Sequence, residues 1–197
     1  MFRDLDYQSR VISTLDTYLD VLKDKKARAD KIAALAAADP DLGIPIPDFA
    51  QETWDALKAG GKLPASRAAI PFSLRTDGCA RPVPNVVLKV PTGGGKTWLA
   101  VSAVSRVMGK YLDRNTGFVL WIVPNEAIYT QTLKHLKDRQ HSYRQALDRA
   151  AAGRVRIMEK TDRLAGHSSE VCSLRCMKTT SMARSATSRF IWMAMLR

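Results

Sequence analysis

Residues 87–100 read Val-Leu-Lys-Val-Pro-Thr-Gly-Gly-Gly-Lys-Thr-Trp-Leu-Ala. The chemistry they suggest is the holding of phosphate. A nucleotide's phosphates carry several negative charges, and backbone N–H groups converging at a helix N-terminus can bind them. The backbone must approach closely and take unusual dihedrals, which Gly93, Gly94 and Gly95 allow. Lys96 supplies a point charge for the β- and γ-phosphates, and the Thr97 hydroxyl can ligate Mg²⁺. The expected ligands are therefore ATP and Mg²⁺. The strict pattern G-x-x-x-x-G-K-[ST] is not met, because Val90 stands at its first position. What stands instead is Pro91-Thr92-Gly93-Gly94-Gly95-Lys96-Thr97. The alternative is a glycine-rich β–α turn with a chance Lys-Thr. A strand pattern before the loop and a helix pattern after it argue against chance.

Two further sets of residues gain meaning beside this loop. Tyr7 and Gln8 precede an amphipathic helix far upstream, and a glutamine amide can read the N6 and N7 edge of adenine. The segment "VLWIVPNEAIYTQTLKHL" is a strand ending at Pro124, followed by Asn125 and a helix carrying Gln131. It resembles helicase motif Ia, in which the strand end and the next helix N-terminus touch the sugar–phosphate backbone of a nucleic acid.

The elements that must position these residues are legible in the pattern. Val11, Ile12, Leu15, Tyr18, Leu19 and Leu22 recur at three- and four-residue steps, predicting a helix from Tyr7 to about Ala38, stopped by Pro40. Asp48 reads as an N-cap with Gln51 three residues on, opening a helix that Gly60 and Gly61 close. "FSLRTDGCARPV" predicts a hairpin turning at Asp77 and Gly78. "NVVLKV" (85–90), "FVLWIV" (118–123) and "RVRIM" (154–158) read as buried strands. A helix ending at Gly109 separates the first two, and two helices separate the last two. This alternation predicts an α/β fold with a parallel sheet flanked by helices.

On "YQ", "VLKVPTGGGKT" and "WIVPNEAIYTQT", residues 5–164 resemble the N-terminal part of the Res subunits of type III restriction enzymes and the related DEAD/DEAH-type helicases of superfamily 2. Their P-loop takes the T-G-x-G-K-T form found here. The resemblance implies an incomplete RecA-like P-loop domain, preceded by a helical N-terminal segment, that would drive translocation on duplex DNA. It also implies a restriction–modification setting, with a modification methyltransferase subunit as partner and endonuclease activity lying further downstream in the family. The organisation expected is a helical segment over 1–61, a partial RecA-like ATP-binding domain over 62–165 and an aberrant or disordered tail over 166–197.

The charge is consistent with a polyanionic partner. Residues 1–60 carry 8 Lys/Arg against 11 Asp/Glu, whereas residues 61–197 carry 23 against 8. A generally basic, solvated surface is the plainer alternative. No apolar run approaches the roughly 18 residues of a membrane span, and the acidic, polar start is no secretory signal. Three cysteines, Cys79, Cys172 and Cys176, make no disulfide framework, so a cytoplasmic protein is expected.

A motor of this kind needs a strand ending in Asp-Glu, and no adjacent Asp-Glu pair occurs in the chain. Glu159 is followed by lysine and is rejected for that role. "SAT" at 185–187 matches helicase motif III in letters only. No catalytic residue is therefore assigned, and the expectation is a chain truncated before its catalytic acids that binds ATP with little turnover. A small P-loop kinase and a non-enzymatic ATP- or nucleic-acid-binding module are the rival readings. His167, Cys172 and Cys176 lack an evident fourth metal ligand. The final thirty or so residues show no sustained period and do not read as the next βα unit, although "RFIWMAML" is a candidate strand.

Overall fold

A computed structural model of the chain describes residues 6–159, 161–162, 172–178 and 193–196. They divide into two compact units. One comprises the described residues up to Ser13 with those from Val87 onward, and the other is Thr14–Val86.

The long helix α1 spans Asp6–Ala38. Within Thr14–Val86, its Leu15, Leu19 and Leu22 are buried at three- and four-residue spacing. In the same unit, α2 (Phe49–Ala59) starts where Asp48 Oδ1 accepts from the Ala50 N–H at 2.9 Å and the Gln51 N–H at 3.1 Å. Gly60 closes it as the C-cap. Trp54 packs on Phe72 at 6.1 Å between ring centroids. The short α3 covers Ala65–Ala68. The expected hairpin at Asp77 is present in small form. Thr76 bridges Pro82 in antiparallel fashion, and Asp77 Oδ1 closes the tip by accepting from the N–H groups of Cys79 and Arg81. The Arg81 side-chain hydrogen bond holds the half-buried Asp77 carboxyl below its ordinary range.

The other unit is built on a four-stranded sheet in the order β2-β3-β1-β4. Strand β1 is Gly117–Val123, β2 is Val155–Met158, β3 is Cys172–Lys178 and β4 is Met193–Leu196. The first three are mutually parallel where they pair, with Val119 opposite Leu174 and Ile157 opposite Leu174 on its other side. Strand β4 runs antiparallel to β1. Helices α4 (Lys96–Arg106), α5 (Glu126–Lys137) and α6 (Ser142–Ala150) complete the α/β architecture expected from the sequence, an incomplete RecA-like domain behind a long N-terminal helix. Alternation along β1 sends Val119, Trp121 and Val123 into a core with Val101, Val104, Leu136 and Leu147 from the helices. Arg144, itself buried, ties three backbone segments together. It pairs with Asp148 at 3.0 Å and donates to the carbonyls of Leu136 and Val155.

Three local readings differ from the structure. Residues 85–90 form no strand: Val86 and Val87 are exposed, and only Val90 is buried. Both edges of β1 are taken, by β3 and β4, so this β-branched run has no edge of β1 to join. The helix after the loop does not end at Gly109 but widens into a π-turn over Val107–Leu112, closed by Asp113 in the left-handed region. Strand β3 lies between β1 and β2, inside the stretch read from sequence as a tail. His167 and residues 185–187 lie outside the described residues.

Candidate functional site

The glycine loop is a tight turn running straight into a helix. The Gly94 N–H donates to the Pro91 carbonyl at 3.1 Å. Gly93 sits at φ +77° and Gly95 at φ +72°, a region where a side chain is strained. Gly94 has an ordinary φ, yet a Cβ there would lie 2.8 Å from Val90 Cγ1 and 3.0 Å from the Pro91 carbonyl oxygen. Two of the three glycines are thus required by dihedral and one by space. Gly95 is the N-cap of α4 and brings no side-chain cap. The Leu99 N–H donates to the Gly95 carbonyl at 3.0 Å as the first intrahelical bond. The N–H groups of Lys96 and Thr97 therefore belong to the N-terminal end of the helix, where the dipole favours an anion.

Lys96 Nζ donates to the Pro91 carbonyl at 2.8 Å, so the ammonium folds over its own loop. Thr97 is half-buried at the second position of α4, and Thr92 is exposed. A hollow of about 350 Å³ lies against Lys89, Val90, Pro91 and Thr92. The residues present fit a polyphosphate: a cradle that Cβ atoms would fill, a helix N-terminus and a cation. Thr97 would offer one hydroxyl to Mg²⁺, which ordinarily keeps several waters and phosphate oxygens of its own.

Tyr7 and Gln8, from the first turns of α1, close on the other side of this loop. The Tyr7 hydroxyl donates to the Gly94 carbonyl. Gln8 Nε2 donates to the same carbonyl at 3.2 Å and to the Tyr7 oxygen at 3.2 Å. Gln8 is only 8% exposed, and a Cβ on Gly95 would stand 2.5 Å from its amide nitrogen. The sequence suggested an amide aimed at a base. In the structure its nitrogen is on the loop backbone, 86 residues away in the chain.

The other expected site residues sit at the end of β1. Pro124 and Asn125 are exposed at the junction with α5, and Gln131 is exposed on that helix. Asn125 Oδ1 accepts from the Ile128 N–H at 2.9 Å, which makes it the N-cap of α5. That end of α5 is a second helix N-terminus, capped by Asn125.

An aromatic and imidazole cluster was not foreseen. The rings of His135 and His141 stack at 4.1 Å with 7° between planes, and Tyr143 meets His141 edge-on at 4.5 Å. His141 Nδ1 accepts from the Tyr143 N–H and caps α6. Tyr143 stacks in turn on Trp98, two residues beyond Lys96. Burial, then the neighbouring His141 and Lys134, hold the His135 imidazole below its ordinary range. The residues come from three helices, so no local period announces them.

Catalytic acids are not assembled among the described residues. Glu159 is engaged by Lys137 in a surface ion pair. No group of three or more His, Cys, Asp or Glu that could hold a metal occurs among the described residues. Cys172 and Cys176 are buried on one face of β3, and burial pushes both thiols up to about 11. They are thiols packed as small apolar groups, with Cys172 Sγ 3.8 Å from Met108 Sδ. No described helix is long and apolar enough to cross a membrane.

Residues 51–184 match the family model of the type III restriction enzyme res subunit, and the chain belongs to that family. Membership implies a helicase-type ATP-binding region, in agreement with the fold. No curated protein and no solved structure matches the chain.

Proposed function

We propose that this chain is the ATP-binding part of a DNA helicase or translocase of a type III restriction system, holding Mg-ATP on residues 91–97 and the DNA backbone on its basic surface. The observation that carries the reading is the loop itself. Gly93 and Gly95 are left-handed, Gly94 has no room for a side chain, and α4 opens directly behind them with Lys96 as its first residue. In this reading Lys96 exchanges the Pro91 carbonyl for β- and γ-phosphate oxygens. Thr97 holds the Mg²⁺, whose chemistry when bound is to neutralise developing charge on the phosphates. Pro124, Asn125 and Gln131 are proposed to meet the sugar–phosphate backbone at the N-terminal end of α5. That helix N-terminus and the excess of Lys and Arg after residue 60 support a polyanionic partner. A modification methyltransferase subunit is the partner that the family suggests.

Lys96→Ala tests the assignment. Fluorescent-ATP titration should show at least a tenfold weaker affinity, about 1.4 kcal/mol. Equal affinities for the variant and the parent would remove the P-loop from the account.

A further inference from the structure

We infer that the Tyr7 hydroxyl and the Gln8 amide are positioning groups for the phosphate loop, fixing the orientation of the peptide between Gly94 and Gly95; this rests on reading residues 91–97 as a nucleotide site. The Gly94 carbonyl accepts from both side chains. A carbonyl oxygen has two lone pairs, and the pair of donors uses both. The Tyr7 hydroxyl donates to Gly94 while accepting from Gln8 Nε2, so the three groups form a closed triangle. The Gln8 amide is buried, where the hydrogen bonds it makes cannot be replaced by water without cost.

The peptide is planar and trans, so its C=O and N–H point in opposite directions. Holding the Gly94 oxygen toward α1 turns the Gly95 N–H away from α1. There it adds to the donors at the N-terminal end of α4. Gly94 and Gly95 have no side chain to resist rotation of this peptide. Turned over, the same unit would present an oxygen to a phosphate in place of a donor. The two side chains of α1 therefore do for the loop what its glycines cannot do for themselves. They remove a competing backbone state, and the cost of ordering the loop is met before ligand arrives.

This is a different role from reading adenine, and the two are separable with a ligand that has no base. The full-length chain is titrated with ATP and with inorganic tripolyphosphate, for the parent, Tyr7→Phe, Gln8→Ala and Lys96→Ala. Positioning predicts that Tyr7→Phe and Gln8→Ala each weaken both ligands by the same factor, roughly three- to tenfold for one hydrogen-bonded group. It also predicts that the Gly95 amide resonance should move on adding tripolyphosphate to the parent and should move less in Tyr7→Phe. Loss of ATP affinity alone, with tripolyphosphate unchanged, would overturn the inference in favour of base reading. So would parental affinity for both ligands in both variants while Lys96→Ala is impaired. A Lys96→Ala protein that binds as the parent does would instead refute the nucleotide site and the positioning role with it. Tyr7→Phe removes one oxygen from a half-buried ring, so it carries the test even if Gln8→Ala does not fold.

Discussion

Alanine substitutions along the three glycines separate two costs that the loop combines, and the structure sets their order. Gly93→Ala meets no atom within 4 Å and is charged only for its dihedral, φ +77°. That amounts to about 1 kcal/mol of stability for a left-handed residue. Gly95→Ala carries the same dihedral cost at φ +72°, and its Cβ also arrives 2.5 Å from Gln8 Nε2. The amide must withdraw, surrendering its bonds to the Gly94 carbonyl and the Tyr7 oxygen. Each is worth about 0.5–1.5 kcal/mol, so Gly95→Ala should cost about 2–4 kcal/mol in all. In a Gln8→Ala background the collision is gone and only the dihedral term remains. The double variant should therefore be more stable than the sum of the singles predicts, by about 1–3 kcal/mol. Urea unfolding followed by far-UV circular dichroism reads this as midpoint shifts at constant slope. Gly95→Ala no worse than Gly93→Ala, or strictly additive effects of Gly95→Ala and Gln8→Ala, would show that α1 does not press on the loop as described.

Binding to duplex DNA should be independent of sequence and fall steeply with salt, because 23 Lys/Arg against 8 Asp/Glu after residue 60 would act by releasing counterions. A gel-shift series from low to physiological salt checks it, and no binding at low salt would leave the charge as solvated surface. Steady-state ATPase with saturating DNA should stay far below 1 s⁻¹, the lower end of about 1–10³ s⁻¹ for enzymes. Turnover near that value, lost in Lys96→Ala, would reveal a catalytic acid in a chain that has no adjacent Asp-Glu pair. Iodoacetamide at pH 8 should label exposed Cys79 quickly and leave Cys172 and Cys176 unmodified until the chain unfolds. Their thiols are raised from 9.0 to about 11 in the fold, so the protonated form is favoured there. Their contribution to stability is whole below pH 9 and is lost as pH rises from 9 towards 11.

What the sequence discloses here depends on how local the cause is. Helices α1 and α2 and the cap at Asp48 are written in spacings of two to four residues, and the structure repeats them almost residue for residue. The loop is written in adjacent glycines for the same reason. Strand β3 is local as well, since Cys172, Leu174 and Cys176 alternate with Ser173, Arg175 and Met177; the first set is buried throughout, and in the second only Ser173 is. That period of two is masked because cysteine counts weakly as an apolar residue and because serine and arginine fill the other face. Residues 85–90 fail in the opposite way. Their β-branched composition is real, but a strand is a relation between two chains of backbone, and β1 offers them no edge.

The contact of Tyr7 and Gln8 with Gly94 has no local cause at all. It joins residues 87 and 86 positions apart, and nothing in "YQ" specifies a carbonyl oxygen as its target. Yet it leaves a trace in the sequence once the geometry is known. A turn of this kind needs glycine where φ is positive, which accounts for Gly93 and Gly95. Gly94 has no such need, and the space denied to its side chain is taken by Val90, Pro91 and the Tyr7 hydroxyl together. The middle glycine therefore marks a turn crowded by its own Val90 and Pro91, to which α1 adds the Tyr7 hydroxyl at 3.0 Å. An alanine there should be tolerated only if Val90, Tyr7 and the Pro91 carbonyl all give way. Freeing the loop of the Tyr7 hydroxyl alone would not admit it, because Val90 Cγ1 at 2.8 Å and the Pro91 carbonyl oxygen at 3.0 Å would still stand in its way.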